Sequence, residues 1–350
     1  MEIGDMSYLR NAWYVAGFVE DVSPNAILAR RLLDEPIVFF RDKDGVLHSL
    51  HDRCPHRFVP LSKGRVLDNG TLQCGYHGLC FDGAGACRSN PHGNGLIPQA
   101  AKVRPYRVVE KHGLIWWWAG EYDSADESLI PDFSFVQAGF RESTVRGYLP
   151  TACSYHYVVD NIMDLTHADF VHEGQLGSGA VTKVKPTLED LGARSVQISW
   201  WSSGDPAPVF FDMQLREQHK LTDQWIEVTW TAPSLMKLKV GATLTGEPRQ
   251  HGAESEVLHI VTPETSERSH YWYWGTSLTN KYSPEMLEKT ASLARFAFEH
   301  QDKPMLEAQQ AAIGSVDIMS LSPVLLPGDA GAVRVRRKLT ALIEAEAPGR

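Results

Sequence analysis

Residues 54 to 77 read CPHRFVPLSKGRVLDNGTLQCGYH, and this stretch decides how the rest of the sequence is interpreted. It contains two short loops that each supply one thiol and one imidazole, Cys54 with His56 and then Cys74 with His77. Two sulfur and two nitrogen ligands fit either a zinc ion or a [2Fe–2S] cluster. Zinc ribbons usually pair two cysteines on one loop, whereas mixed loops suit a cluster with two Cys on one iron and two His on the other. The order of the ligands therefore favours the cluster, and structural zinc is the alternative.

The composition is that of an ordinary globular chain, long enough for two domains. Its 350 residues are 43% hydrophobic and 22% charged, which excludes a disordered or low-complexity protein. A formal charge of −9 disfavours nucleic acid as a partner, because an acidic surface repels phosphates. We also expect no membrane span, since no apolar run approaches the ~20 residues that cross a bilayer.

The cysteines and histidines indicate a reducing compartment and bound metal. Five cysteines are an odd number, which argues against a disulfide framework, and the N-terminus does not resemble a secretory signal. We therefore expect a cytoplasmic protein. Fourteen histidines, several of them beside Cys or Asp, favour metal binding. Outside the two loops, Cys80, Cys87 and Cys153 are expected to be free thiols without an assigned role.

The hydrophobic pattern divides the chain into an all-β part and an α+β part. Residues 1–140 read as short strands separated by turn residues. Residues 141–350 read as an antiparallel sheet with helices before and after it, which we expect to form a second domain. Three helices are predicted there, over residues 154–171, over residues 286–313 with either a kink or a junction of two helices at Pro304, and over about 332–345.

A second metal site is indicated by residues 161–172, which read NIMDLTHADFVH. His167 and His172 lie five residues apart, so their side chains diverge by roughly 140° on a regular helix. One metal ion can reach both only if the helix ends or widens between them. A mononuclear Fe(II) site that activates dioxygen needs two His and one carboxylate on one face. Taken by itself, the segment is equally compatible with ordinary surface histidines.

Together these stretches resemble the Rieske non-haem iron oxygenases over nearly the whole chain. The segments CPHRFVPLSKGR, CGYHGLCFDGAG and GLIWWWAG follow the N-terminal domain of that family in order. The opening RNAWYVAG and the later DNIMDLTH are most similar to the vanillate O-demethylase, toluenesulfonate methyl-monooxygenase and dicamba demethylase group. The resemblance implies a Rieske [2Fe–2S] domain, held by the four loop ligands, followed by a catalytic domain with mononuclear Fe(II).

The resemblance also assigns residues to the mononuclear iron. His167 and His172 would be two of its ligands. In the family the third ligand comes from a helix near the C-terminus, where the segment EHQDKP offers Asp302, with Glu299 as its rival. Asn161 corresponds to a residue that lies close to the iron without being a strong ligand.

Asp164 has a different implied role. In the family the corresponding acid hydrogen-bonds a Rieske histidine of a neighbouring subunit and also a histidine on the mononuclear iron. A carboxylate in that place would fix the orientation of both rings. The arrangement implies a closed ring of subunits, and we expect a homotrimer.

Electrons must come from a partner protein. The sequence contains neither a G-x-G-x-x-G nucleotide motif nor a plant-type four-Cys cluster motif. The resemblance implies a reductase that carries flavin and a plant-type ferredoxin domain and is fed by NAD(P)H. Four basic residues near the first ligand loop could form its docking patch, with solvated loop charge as an equal alternative: Arg53, Arg57, Lys63 and Arg65.

The implied reaction uses O2 to hydroxylate a substrate methyl group. On a methoxy-substituted aromatic acid, with vanillate the most economical choice, the product collapses to a phenol and formaldehyde, which is O-demethylation. His259 and Lys239 are the residues expected to bind a carboxylate or phenol in the pocket. The alternatives are a monooxygenase or dioxygenase acting on an aryl methyl, an N-methyl or the ring, and a Rieske electron-transfer protein.

Overall fold

The computed structural model describes residues 8–138, 140–315 and 317–346, and its contacts divide the chain into two compact units. One unit runs to Ile130 and includes Thr262–Thr265. The other comprises Pro131–Val261 and the residues from Ser266 onward. The domain limits predicted from the sequence, 1–140 and 141–350, remain a proposal.

The first unit is all-β, as predicted. Its described residues form three antiparallel sheets, with the strand orders β1-β11-β10, β2-β3-β4-β9 and β5-β6-β7-β8. The strands are β1 Trp13–Phe18, β2 Ile27–Leu32, β3 Glu35–Arg41, β4 Leu47–His51, β5 Arg65–Val66, β6 Leu72–Gln73, β7 Cys80–Phe81, β8 Cys87–Ser89, β9 Pro105–Tyr106, β10 Val108–Lys111 and β11 Leu114–Trp118. Strand β11 reads LIWWW and is buried along its whole length, so it lies in the core of this unit.

The second unit is built on one large sheet flanked by helices, which confirms the predicted α+β class. Its seven strands follow the order β12-β18-β17-β16-β15-β14-β13. Their bounds are β12 Thr144–Thr151, β13 Thr187–Asp190, β14 Ser195–Pro206, β15 Leu221–Thr231, β16 Leu235–Leu244, β17 Ala253–Thr265 and β18 Arg268–Ser277. Along β14 every second residue from Val196 to Trp200 is buried, as expected for a sheet with one face on the core.

The α-helices of the described residues all lie in the second unit, and no described helix combines the length and apolarity that crossing a membrane requires. They are α1 Phe135–Ala138, α2 Tyr155–Met163, α3 Ala168–Val171, α4 Val209–Asp212, α5 Pro284–Arg295, α6 Lys303–Ile313 and α7 Ala330–Glu346. The helix predicted over residues 332–345 corresponds to α7.

The long helix predicted over residues 286–313 is interrupted, as the proline inside it suggested. Helix α5 is capped by Ser283, whose side chain accepts a hydrogen bond from the Met286 N–H. A π-helix, Phe296–Asp302, follows, and Pro304 then occupies the first turn of α6. Proline is tolerated there because the first helical N–H groups need no intrahelical partner.

The helix predicted over residues 154–171 is not continuous, which corrects that expectation. Helix α2 ends at Met163, a 3-10 turn spans Leu165–His167, and α3 follows directly. Asp164 makes the break, because its backbone is extended and its side chain accepts a hydrogen bond from the Thr166 N–H. An aspartate that caps a new turn competes with continuation of the old helix.

Candidate metal centres

The break after α2 brings the two predicted histidine ligands together. His167 ends the 3-10 turn and His172 follows the last residue of α3. Their ring centroids are 5.4 Å apart, with the ring planes inclined at 72°. The regular helix on which these side chains would diverge is therefore absent, and both rings can face one point.

Asp302 reaches both histidines from the end of the π-helix. Its Oδ2 lies 3.2 Å from Nε2 of His172, and its Oδ1 lies 3.4 Å from Nε2 of His167. In the part of the chain that the structure describes, these three residues form the one group of three or more His, Cys, Asp or Glu that could hold a metal ion, and their ligand atoms all lie within 4.8 Å of one another. Glu299, the rival of Asp302, is not in this group.

The donor set and its burial fit a mononuclear iron. Asp302 is 5% exposed, and its Oδ1 has no hydrogen-bond partner among the described residues. A buried carboxylate oxygen left without a partner is costly unless a cation occupies the site. Two imidazole nitrogens and one carboxylate form the facial set that non-haem Fe(II) uses, with the remaining positions open.

The electrostatics of this site favour an ionised Asp302. Burial opposes ionisation of Asp302, but the His167 and His172 rings beside it outweigh burial and lower the pKa of the carboxyl group to about 2. Burial likewise works against the charged form of His167, yet the nearby Asp302 carboxylate outweighs it and raises the pKa of that ring above its ordinary value. Asp302 is therefore ionised at neutral pH, as metal binding requires.

Each histidine ring is oriented by a carbonyl oxygen. Nδ1 of His167 donates to the backbone carbonyl of Asp164 over 2.6 Å, and Nδ1 of His172 donates to Oε1 of Gln301 over 2.8 Å. A carbonyl oxygen can only accept, so each Nδ1 carries the proton and each Nε2 is left to bind metal. Sequence reasoning missed Gln301, although its place beside Asp302 was a usable signal.

Asp164 contacts His167 through its main chain and not through its carboxylate, which corrects that part of its implied role. Its Oδ1 instead accepts from the N–H and hydroxyl of Thr166, at 3.0 and 2.7 Å. The carboxylate also packs against Gly328, where an added Cβ would lie 2.4 Å from Oδ1. Asn161 lies beside the same histidine, with its amide nitrogen 3.4 Å from Nε2 of His167.

The two cluster loops of the first unit have the same backbone construction. The Phe58 N–H donates to the Cys54 carbonyl over 2.9 Å, and the Gly78 N–H donates to the Cys74 carbonyl over 3.0 Å. Phe58 and Gly78 both have a positive φ, of 61° and 75°. Glycine adopts this conformation without strain, whereas a phenylalanine there is uncommon. The shared turn places Cys54 and Cys74 at corresponding points of the two loops, whereas His56 follows its cysteine by two residues and His77 by three.

The four loop ligands separate into a buried pair and an outer pair. Cys54 and Cys74 are each 2% exposed, and burial together with the neighbouring Cys74 thiol raises the pKa of Cys54 to about 11. His56 is exposed and His77 is half-buried, with their ring centroids 4.5 Å apart. This division suits a cluster that carries two thiolates on one iron and two imidazoles on the other.

The basic residues proposed as a docking patch are all exposed near these loops. Arg53 lies over the Phe58 ring, with the guanidinium carbon 4.1 Å from the ring centroid, and Arg65 donates to Gln73 over 3.0 Å. Arg57 and Lys63 are also exposed. Cys80, Cys87 and Cys153 are buried free thiols, as expected.

A cavity of about 160 Å³ extends from the mononuclear site into the second unit. His167, His172 and Asp302 belong to its lining, and most of the remaining lining is apolar. His259, one of the two predicted substrate residues, also lines it. The arrangement can hold an aromatic ring over a metal ion while excluding water.

Lys239, the other predicted substrate residue, does not line the cavity. Its Nζ lies 3.7 Å from Glu254 and 3.5 Å from Glu256, while Leu238 and Val240 on the same strand face the cavity. Side chains alternate across a strand, so a lysine between two cavity residues points to the opposite face. The expectation for Lys239 is therefore not carried forward.

Known proteins with similar sequences and structures fit both centres. Residues 12–106 match the Rieske [2Fe–2S] domain, and residues 151–345 match the vanillate O-demethylase oxygenase C-terminal domain. The oxygenase component of dicamba O-demethylase from Stenotrophomonas maltophilia is 38% identical, covering 98% of this chain and 100% of its own length. The oxygenase subunit of vanillate O-demethylase from a Pseudomonas species is 31% identical, covering 96% of this chain and 95% of its own length. A crystal structure of dicamba monooxygenase with non-haem iron and dicamba superposes with a TM-score of 0.81 at 35% identity, covering 97% of this chain and 98% of that one.

Proposed function

This chain belongs to the Rieske-type oxygenase components of the vanillate and dicamba O-demethylase family, and from that membership we propose that it removes the methyl group of a methoxy-substituted aromatic compound. Its cofactors are a Rieske [2Fe–2S] cluster and a mononuclear iron. A vanillate-like aromatic acid is the reference substrate against which other methoxyarenes are compared. The observation that carries the proposal is the meeting of His167, His172 and Asp302 at one end of an apolar cavity.

The net reaction balances with one dioxygen, two electrons and two protons. One oxygen atom enters a C–H bond of the methoxy group and the other leaves as water. The resulting hemiacetal collapses to the phenol and formaldehyde. When bound at the three ligands, Fe(II) supplies the oxygen-activating chemistry, and the cluster relays the electrons.

The protein's own groups prepare the site for this step. The hydrogen bonds from His167 to Asp164 and from His172 to Gln301 orient both rings and place the Nδ1 proton, so that the Nε2 atom of each neutral ring is the one available to a metal. Asp302 supplies the negative charge. The apolar walls exclude water from the reacting methyl group and hold the ring by burial of its faces.

The electron supply comes from another protein, since an oxygenase component works with a partner reductase. We propose that Cys54, His56, Cys74 and His77 hold the cluster and that the reductase carries flavin and a plant-type ferredoxin domain. We further propose a homotrimer in which the Asp164 carboxylate meets the cluster of a neighbouring subunit. A cytoplasmic location suits five cysteines that form no disulfide among the described residues.

Metal analysis and product analysis on the purified protein test this function. We expect about three irons and two acid-labile sulfides per chain. With a surrogate reductase, vanillate or another methoxyarene should yield formaldehyde in proportion to the nicotinamide consumed. Two irons per chain would identify an electron carrier instead. Oxygen uptake in proportion to the nicotinamide consumed, without release of formaldehyde, would identify a hydroxylase.

A further inference from the structure

Asp169 is a buried carboxylate that lies between the two histidine ligands in the sequence without being a ligand itself. It is 8% exposed and belongs to α3, the short helix between His167 and His172. The group of ligand atoms that meets at Asp302 does not include it. A carboxylate is costly to bury unless it is paired or hydrogen-bonded. The partners of Asp169 therefore show what this charge does in the fold.

The Asp169 carboxylate accepts three hydrogen bonds from the chain that follows His172. Its Oδ1 accepts from the Gly179 N–H over 2.8 Å. Its Oδ2 accepts from the N–H of Thr182 over 2.9 Å and from the hydroxyl of the same residue over 3.0 Å. Hydrogen bonds to a charged acceptor are stronger than those to a neutral one, so these three contacts tie the segment 173–182 to α3.

The first part of this segment folds back on the main chain of the ligand His172. The backbone carbonyl of His172 accepts three hydrogen bonds from the residues that follow it. The donors are the N–H groups of Gln175, Leu176 and Gly177, at 3.1, 3.2 and 3.1 Å. Gly177 also packs on α3, because an added Cβ there would lie 2.1 Å from the carbonyl oxygen of Ala168. The place of the His172 main chain therefore depends on how the segment is held.

The same segment forms part of the cavity wall. Leu176 lines the cavity together with His172. The N–H of Phe210, another lining residue, donates to the Gln175 carbonyl over 3.4 Å. The hydrogen bonds of Asp169 thus join this part of the wall to the helix between the two histidine ligands.

We propose that Asp169 is a positioning residue for the oxygenase reaction. By holding the segment 173–182 on α3, it fixes the turn at His172 and the wall at Leu176, so that iron is retained and water is kept from the reacting methyl group. The inference rests on the proposed function and adds a residue that acts through others. Where the segment loosens, water enters, and dioxygen leaves as hydrogen peroxide with the two electrons and two protons that demethylation would use.

Three variants of the full-length holoenzyme separate this role from the effect of charge alone. Asp169→Asn keeps the shape of the side chain but replaces one acceptor oxygen by an amide NH2, which cannot accept from an N–H. Thr182→Val removes one of the three donors and leaves the carboxylate in place. Glu173→Gln is the matched control, because it also removes one negative charge beside His172 but at an exposed residue.

Iron retention against a chelator and the ratio of products are measured for each variant. We expect Asp169→Asn to lose the mononuclear iron about tenfold faster than the native protein, Thr182→Val to show a smaller increase, and Glu173→Gln to show none. With a methoxyarene and a surrogate reductase, the formaldehyde formed per nicotinamide consumed should fall in the same order while hydrogen peroxide rises. Unfolded molecules consume no nicotinamide, so a loss of folded protein alone does not lower this ratio.

Native iron loss or a native product ratio in Asp169→Asn would overturn the proposal. An equal effect in Glu173→Gln would also overturn it, because the cause would then be charge near the iron. If Asp169→Asn does not fold, Thr182→Val provides the same test, and native values for that variant would remove the role of Asp169.

The failure of this inference differs from the failure of the proposed function. Formaldehyde from the native protein together with native iron loss in Asp169→Asn would leave O-demethylation intact and remove the positioning role. Faster iron loss in Asp169→Asn, with no formaldehyde from any methoxyarene in the native protein, would keep the positioning role and remove O-demethylation.

Discussion

Gln301 and His172 are joined by a hydrogen bond of 2.8 Å between the Oε1 of the amide and the Nδ1 of the ring. The next residue, Asp302, lies 3.2 Å from Nε2 on the other side of the same ring. Both residues belong to the π-helix Phe296–Asp302, a rare element that often marks functional sites. One imidazole is thus held from two sides by consecutive residues of one turn.

Removing the Gln301 acceptor should weaken iron binding more than it weakens the fold. In Gln301→Met the Nδ1–H of His172 loses its partner, and the ring loses the contact that fixes its orientation. We expect a loss of about 10- to 100-fold in affinity for the mononuclear iron, measured as iron retained against a chelator. Gln301→Glu keeps an acceptor and should retain more iron than Gln301→Met. The control variant His300→Gln changes an exposed neighbouring residue and should retain as much iron as the native protein. If Gln301→Met also retained as much iron as the native protein, Gln301 would not orient His172 for metal binding.

The acid that completes the mononuclear site can be identified with a second pair of variants. Asp302→Asn keeps the shape of the side chain but removes its charge, so we expect the iron content to fall from about three to about two per chain with sulfide unchanged. Glu299→Gln changes an acid on the same π-helix that does not meet the histidines, and it should keep the full iron content. The reverse pattern would give the ligand role to Glu299.

The sequence indicated which residues meet at the iron but not the backbone that brings them together. The divergence of roughly 140° expected for His167 and His172 assumed a regular helix. The break at Asp164 had a local signal, since aspartate is a preferred N-cap residue at the start of a new helical turn. The apolar spacing of residues 154–171 nevertheless favoured a continuous helix, and the sequence alone could not show which of the two tendencies determines the structure.

Contacts between distant segments were beyond the reach of the pattern. Gln301 orients His172 from 129 residues away, and no local spacing predicts such a pair. For Lys239, strand alternation required that it and Leu238 face opposite sides, but it did not say which side held the cavity. The cavity lining, which includes Leu238 and Val240 but not Lys239, settles that choice.

The buried His259 should make the protein less stable as the pH falls. Burial lowers its pKa to about 4 from an ordinary value of 6.5. Between these values the unfolded chain binds a proton that the folded protein does not, so the free energy of unfolding decreases with falling pH. The loss of unfolding free energy that His259 causes is absent above pH 6.5 and reaches about 3 kcal/mol near pH 4.

The variant His259→Gln removes that proton uptake from the unfolded state. Urea unfolding of both proteins at pH 7 and at pH 4.5 isolates the effect, because the other titrating groups are common to both. Between pH 7 and pH 4.5, we expect the free energy of unfolding of the variant to rise by about 2 to 3 kcal/mol relative to that of the native protein. A difference that stays constant between the two pH values would mean that His259 is protonated in the folded state.

The ion pair between Arg336 and Asp160 should stabilise the docking of α7 on α2. The guanidinium Nε lies 3.0 Å from both carboxylate oxygens, and the two side chains are 14% and 23% exposed. Arg336→Met leaves the carboxylate of Asp160 without its partner, and burial already raises the pKa of that group. We expect a loss of about 3 kcal/mol in the free energy of unfolding, measured with urea at pH 7. The double variant Arg336→Met/Asp160→Leu should recover most of it, because no unpaired charge is left behind.

Two residues earlier on the same helix, Arg334 provides the matched control. Nη1 of Arg334 lies 3.2 Å from Oδ2 of Asp190, but the two side chains are 45% and 46% exposed. An exposed pair contributes little because water screens it, so Arg334→Met should cost less than about 1 kcal/mol. Similar losses for Arg334→Met and Arg336→Met would show that the burial of the Arg336 pair has no effect on stability. A double variant no more stable than Arg336→Met would assign the loss to packing of the arginine stem on α2 and not to the unpaired charge.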